Sequence, residues 1–295
     1  MPVSQVSAPL IRHLPLPLRR VIRGVLNYFD RLTVWAAILR DVKGVARQDR
    51  RSLLLSALVS PMTAWGDFNG WRNPVLLHDV DVEVPALGRF RVHQRTDELY
   101  LVLPTRETAV YAAARALLQP GDTVVDAGAN IGAFSVAAGR LVGPAGRLIS
   151  IEMMPQTAKR LSDNLALNDV TAEIIETALA SKSGLTVSAA LDPARAGQAT
   201  LVLAHTLSRS QTVTVSTRTL DEVLIDVGDI ALIKIDIEGA ELDAFAGGAA
   251  TLARTRAIIF EQLEGAVELS TALTRSGFTV SRLDHSNYLA RRSSR

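Results

Sequence analysis

The chain contains no cysteine in its 295 residues. Disulfides and thiolate metal sites are therefore excluded, although this leaves the redox compartment open. Aromatic residues make up only 5% of the sequence, within an apolar fraction of 48% dominated by alanine, leucine and valine. A core of that kind suits α/β layers better than a β-sandwich. No run reaches the roughly 18 apolar residues needed to cross a bilayer. The best in the N-terminal part, LTVWAAIL at 32–39, has eight. The first residues lack the short basic region and long apolar core of a secretory signal, so a soluble cytoplasmic protein is expected. The five histidines, His13, His78, His93, His205 and His285, show no metal-ligand spacing, and no metal site is assigned. A GxSxG elbow, a Walker loop and a zinc motif are also missing.

Net charge is small, +2, but unevenly spread. Residues 1–60 hold ten Lys/Arg and three Asp/Glu, and the last five residues, RRSSR, add +3. That leaves −8 for residues 61–290, a poor surface for a nucleic-acid backbone. The basic segment could instead meet an anionic lipid surface or a protein partner. The sequence divides into a basic helical extension (1–60), a small β lead-in (61–106), a main domain (107–290) and a basic tail (291–295). Oligomeric state is not legible.

Pro2, Pro9, Pro15 and Pro17 predict an irregular start over residues 1–20. From Val21 to Val59 the apolar residues fall at helical spacings. Two readings stay open: helices packed on the main domain, or a basic amphipathic helix on a membrane surface. Pro61, Gly66, Asn69, Gly70 and Pro74 mark loops, and VLLHDVDVEV and RFRVHQR alternate as strands. A helix is expected over 107–118. Strands then follow at 123–127, 147–152, 172–178, 230–236 and 256–260, and helices at 131–141, 155–167, 239–253 and 265–276. Such alternation implies a parallel sheet with helices on both faces. Residues 184–219 read as an inserted hairpin or extra strands, and FTVSRLD with NYLA as a closing hairpin.

The chemistry concentrates at VVDAGANIGAFS, 124–135: a strand ending in Asp126, a turn with Gly128 and Gly132, and a helix start. Ligands in open parallel sheets sit beyond the carboxyl ends of the strands. The two glycines allow a tight turn and close approach to a ligand. A dinucleotide turn requires GxGxxG, but Asn130 stands where the second glycine belongs. An acid at the strand end also disfavours a pyrophosphate. A cationic ligand fits better. S-adenosylmethionine carries an ammonium and a sulfonium, plus a carboxylate that the turn amides could bind. Glu152, about twenty residues further on at the end of the second strand, can accept both ribose hydroxyls. The rivals are a nicotinamide-dependent oxidoreductase and a non-catalytic module on the same fold.

PGDTVVDAGANIGAFS, GRLISIEMMPQTAKRLSDNLALN and LIKIDIEGAEL, in that order and spacing, resemble the FkbM family of S-adenosylmethionine-dependent methyltransferases. The likeness spans roughly Glu107 to Ala290. It implies a Rossmann-like class I methyltransferase fold, with seven strands of which the last is antiparallel. It also implies O-methylation of a hydroxyl on a sugar, glycan or other natural product. By this likeness Asp126, Gly128, Ala129, Asn130 and Gly132 form the pocket for the methionine end. Glu152 binds ribose, Met153 flanks the adenine and the backbone of Ala178 faces it. The family's EPNP-like string reads EMMP here, with Met153 in place of a proline.

LIKIDIEGAE, 232–241, places Asp236 near the end of the fourth strand. A hydroxyl acceptor must lose a proton, which calls for a base or a metal. Asp236 is the first candidate, with Glu238 and Glu261 also facing the acceptor. Lys234 alternates with Asp236 and could pair with it. Glu238 and Glu241, three apart, could share a helix face or simply serve its N-terminal amides. Glu107 could reach the methionine ammonium or be an ordinary helix-start acid.

Overall fold

A computed structural model describes residues 15–63, 74–191, 200–201, 211–262 and 265–292. His13, Gly66, Asn69, Gly70, His205 and residues 293–295 lie outside the described residues. The chain divides into two compact units, Met1–Arg106 and Glu107–Arg295.

In the first unit, helix α1 (Leu16–Asp41) is followed by β1 (Lys43–Gly44), α2 (Arg47–Thr63), β2 (Val80–Val84), β3 (Gly88–Val92) and α3 (Glu98–Leu101). The helix starts earlier than its prolines suggested. Pro17 lies in the first turn, where a missing N–H costs nothing because those donors have no helical acceptor. Pro61 likewise falls within the end of α2 rather than in a loop. β1, β2 and β3 form an antiparallel sheet in that order. Alternate residues Val80, Val82 and Val84, and on β3 Phe90 and Val92, are buried. This is the two-residue period of a half-buried sheet.

The second unit opens with α4 (Thr108–Leu117). Then come β4 (Thr123–Ala127), α5 (Ala133–Val142), β5 (Arg147–Ile151), α6 (Pro155–Ala166) and β6 (Glu173–Ile175). After the insertion follow α7 (Leu220–Val223), β11 (Ile230–Ile235), α8 (Glu241–Ala246), α9 (Ala249–Ala253), β12 (Thr255–Glu261), α10 (Glu268–Arg275), β13 (Phe278–Arg282) and β14 (Asn287–Arg292). The seven-stranded sheet runs β13-β14-β12-β11-β4-β5-β6. β4, β5, β6, β11 and β12 pair in parallel, while β14 runs against both its neighbours. All six residues of β11 are buried, as expected for a parallel strand covered on both faces. Val125, Ala127, Ile149, Ile151, Ile233 and Ile235 pack one face into the apolar core.

The insertion contributes β8 (Thr186–Leu191), β9 (Thr200–Leu201) and β10 (Gln211–Arg218), with β8 and β10 antiparallel. The third strand of the main sheet ends sooner than expected. β6 stops at Ile175, and β7 (Ala178–Leu179) leaves to pair in parallel with β10 in a separate sheet, β7-β10-β8-β9. The helix expected over 239–253 is two helices, broken at Gly247 and Gly248. A Cβ at Gly247 would lie 2.5 Å from the carbonyl oxygen of Ala180, so the chain presses against a neighbouring backbone there.

At Gly128 φ is +81°, and a Cβ would lie 1.9 Å from the carbonyl oxygen of Asp236. Gly121 has a similar φ of +89° but open space around it. Gly128→Ala is expected to cost about 3 kcal/mol, combining backbone strain with overlap, and Gly121→Ala about 1 kcal/mol from strain alone. Urea denaturation of the two variants checks the difference.

Candidate active site

β4 delivers Asp126 to its carboxyl end, and residues 128–132 turn the chain into α5. Each N–H of that turn is already spent within the protein. Gly128 and Ala129 both donate to the Ile151 carbonyl, at 2.9 and 3.0 Å. Asn130 donates to Glu152 Oε2 at 3.0 Å, Ile131 to Asn130 Oδ1 at 2.7 Å, and Gly132 to the Ala129 carbonyl at 2.9 Å. The expectation that turn amides hold a ligand carboxylate is therefore corrected for these five, because a satisfied backbone donor has nothing left to offer. The same bonding deprives a diphosphate of its usual seat.

The glycines also act differently from expectation. Gly128 clears space for the Asp236 backbone. A Cβ at Gly132, where φ is +91°, would lie 2.6 Å from Leu161 Cδ1. Both make room for protein neighbours, not for a ligand. Asn130 adopts φ +50°, a left-handed conformation that asparagine tolerates, so the turn keeps a glycine-like path without a glycine there.

The sheet register aligns the polar residues. Lys234 on β11, Asp126 on β4 and Ser150 on β5 are in-register partners, so their side chains leave the same face. Ser135, from the first turn of α5, donates to Asp126 Oδ2 at 2.6 Å, and its Oγ lies 2.9 Å from Ser150 Oγ. Lys234 Nζ donates to Asp236 Oδ2 at 3.3 Å. It also sits 5.8 Å from the centre of the Phe134 ring, which stacks on Tyr111.

This face is strongly electrostatic. Asp126 is fully buried, and its Oδ1 has no hydrogen-bond partner among the described residues. Burial pushes its carboxyl up to about 6, against the opposing pull of Lys234 and the Ser135 hydroxyl. Burial likewise raises Glu152 to about 7, although Met154 and Asn130 amides favour its ionised form. Its Oε1 accepts the Met154 N–H at 2.9 Å, so its two oxygens fasten two loops. Burial alone would lower Lys234, but Asp236, Glu107 and Asp126 outweigh it and hold the ammonium well above its ordinary range. Glu107, half-buried at the start of α4, thus shares the field of Lys234 and Asp126.

The structure brings Asp126, Asp236, Lys234 and Glu107 together, and joins Asn130 to Glu152. Glu238 and Glu261 are exposed. Glu261 ends β12, one residue beyond the Phe260–Ile235 pairing and so level with Asp236. Glu238 and Glu241 do not share a helix face. Positive φ at Glu238 (+53°) and Gly239 (+99°) keeps this stretch out of the helix, which starts only at Glu241. Glu241 is buried and accepts the N–H groups of Ile237 and Gly239, at 2.9 and 3.2 Å, so it fastens the loop that follows Asp236. Met153 packs beside Met154, Ala178 and Val215, with Val187 and Val213 of the insertion against the same cluster. Among the described residues, no three His, Asp or Glu side chains are grouped to hold a metal ion.

Sequence reasoning did not single out Ser135, Ser150 or Asn164, which donates to the Ile131 carbonyl at 2.9 Å. The available signal was a serine within the apolar run LISI, a polar residue where the pattern requires burial. A buried carboxylate oxygen with no partner among the described residues, beside further acids, suits a cation, and Glu152 retains lone pairs for ribose hydroxyls.

Lys234→Met leaves Asp126, Asp236 and Glu107 without their buried cation. The expected loss of stability is about 3 kcal/mol at pH 7.5. The loss is smaller at pH 5, where Asp126, whose folded value lies near 6, carries a proton. Urea titrations at both pH values measure this change.

A family model described as the methyltransferase FkbM domain matches residues 126–283. No curated protein matches the chain. Among solved structures, an S-adenosylmethionine-dependent O-methyltransferase from Thermotoga maritima is 14% identical, with TM-score 0.43, covering 73% of this chain and 78% of its own. A precorrin-6y C5,15-methyltransferase from Geobacter metallireducens is 15% identical, with TM-score 0.42 and coverages of 63% and 90%. A ribosomal protein L11 methylase from Lactobacillus delbrueckii is 19% identical, with TM-score 0.39 and coverages of 62% and 77%. Likenesses at this level carry no information about the acceptor. The mostly parallel seven-stranded sheet, with β14 reversed, is the Rossmann-like class I methyltransferase architecture. With more than half its length matched by the family model, the chain belongs to the FkbM family of S-adenosylmethionine-dependent methyltransferases.

Proposed function

We propose that this methyltransferase acts on a hydroxyl oxygen of a small molecule or glycan. One observation carries the reading of the cofactor site: the turn 128–132 has no amide to spare for an anion, and carboxylates border it. Such a crevice favours a positively charged nucleoside over a diphosphate. Glu152 holds the ribose with the lone pairs its backbone bonds leave free. Asp126, with Glu107 in the same field, faces the ammonium. Ala129 and the turn backbone shape the methionine end, while Met153 and the Ala178 backbone line the adenine side. The cofactor supplies a methyl group on a sulfonium, already a good leaving group, so alignment is the protein's main contribution.

The oxygen assignment rests on Asp236. Its side chain is 23% exposed, unlike that of Asp126, and its backbone is packed on the glycine turn. Lys234 holds one of its oxygens, which orients the carboxylate to take an acceptor proton. Glu238 and Glu261, exposed near the same strand ends, are assigned to the acceptor side.

Four outcomes test this. Asp236→Asn should lower turnover by about a hundredfold or more while changing S-adenosylhomocysteine affinity little. The product from labelled methyl donor and a hydroxylated acceptor should be a methyl ether by mass spectrometry; methyl on nitrogen or carbon would refute the oxygen assignment. Glu152→Ala should weaken S-adenosylhomocysteine binding at least tenfold, about 1.4 kcal/mol by calorimetry. In the unaltered protein, affinity should rise by about tenfold or more between pH 5.5 and 7.5 and then level off. The raised acids, near 6 and 7, are protonated at the lower pH and must ionise to receive the ligand.

A further inference from the structure

Helix α1 is inverted relative to an ordinary surface helix. Its buried residues are Gly24, Asn27, Asp30, Arg31, Trp35 and Ile38, half of them polar or charged. By contrast Leu18, Val21, Phe29, Leu32 and Leu39 are between 37% and 55% exposed. At about 100° per residue these five share an arc of about 80° on the side opposite the buried residues. α2 repeats the inversion: Ser56 and Ser60 are buried, whereas Leu54, Leu55 and Leu58 are exposed by more than half. Of the fifteen large apolar side chains exposed among the described residues, ten lie between Leu16 and Leu58. Exposure on that scale, concentrated on two helices, marks a contact surface.

The charges around it have one sign. On α2, Arg47, Arg50 and Arg51 are exposed on the side that carries Leu54 and Leu58, and Lys43 is exposed just before that helix. The acids of this stretch are withdrawn: Asp30 and Asp49 are buried, Asp49 accepting the Ala46 N–H, and Asp41 is paired with Arg40. An apolar stripe with cationic surroundings complements a negatively charged lipid surface. Two copies meeting through this face would instead bring like charges together. No described helix is long and apolar enough to cross a membrane, so the fit is to lying on one.

We propose that α1 and α2 dock the chain on an anionic bilayer surface, with Leu18, Phe29 and Leu32 entering the boundary between headgroups and acyl chains. This surface lies in the first unit and is independent of the methyl-transfer reading. The test is co-sedimentation of the full chain with vesicles of phosphatidylcholine alone, or mixed with about 30% phosphatidylglycerol. Binding is expected to the mixed vesicles, at least tenfold stronger than to phosphatidylcholine and weakened by salt. Leu18→Glu with Leu32→Glu should reduce it at least tenfold while S-adenosylhomocysteine binding and circular dichroism stay unchanged. Arg47→Gln with Arg51→Gln, which leaves the apolar stripe intact, should lessen the preference for phosphatidylglycerol. Failure of the folded chain to bind the mixed vesicles overturns the proposal. So does a solution dimer, seen by analytical ultracentrifugation, that Leu32→Glu splits.

Discussion

A single buried ammonium makes the polar face of the main sheet tenable. Lys234 lies in register with Asp126 and bonded to Asp236, with Glu107 in the same field. Carboxylates at the ends of adjacent parallel strands repel one another and lose hydration on burial. Without a cation between them, β4 and β11 could not both end in an acid. The Ser135 and Ser150 hydroxyls extend the compensation, but among the described residues Asp126 Oδ1 has no hydrogen-bond partner. A cationic ligand of the kind proposed would meet that oxygen.

The glycine turn supplies the complementary restriction. It resembles an anion-binding loop in sequence, yet its donors are committed to Ile151, Glu152, Asn130 and Ala129. A loop with satisfied amides and acidic borders discriminates by what it withholds. Gly128 is needed because the Asp236 backbone occupies the place of its side chain. The absence of one methyl group thus lets the two acid-bearing strand ends meet.

Much of this was legible in the sequence, for identifiable reasons. β4 and β11 are largely buried, so their apolar runs gave the sheet, and their acids mark adjacent strand ends. The break at Gly247 was not legible, because it arises from contact with the Ala180 carbonyl, far away in sequence. The departure of Ala178 into the second sheet was hidden for the same reason: pairing with Thr217 decides it, not local propensity. The role of the turn amides was misread because a motif shows where donors are, not which acceptors have already taken them. Glu241 was visible as a helix-start acid, yet it serves the preceding loop, whose left-handed residues no periodicity reveals.

The insertion sheet has a consequence for how this protein can change. Val187, Val213 and Val215 come from the insertion, and they pack on the two methionines that follow Glu152. The insertion is thus also a wall beside the strand end assigned to the nucleoside. On the proposed reading of the cofactor site, a substitution at Val187, Val213 or Val215 would reach donor affinity through Met153 and Met154.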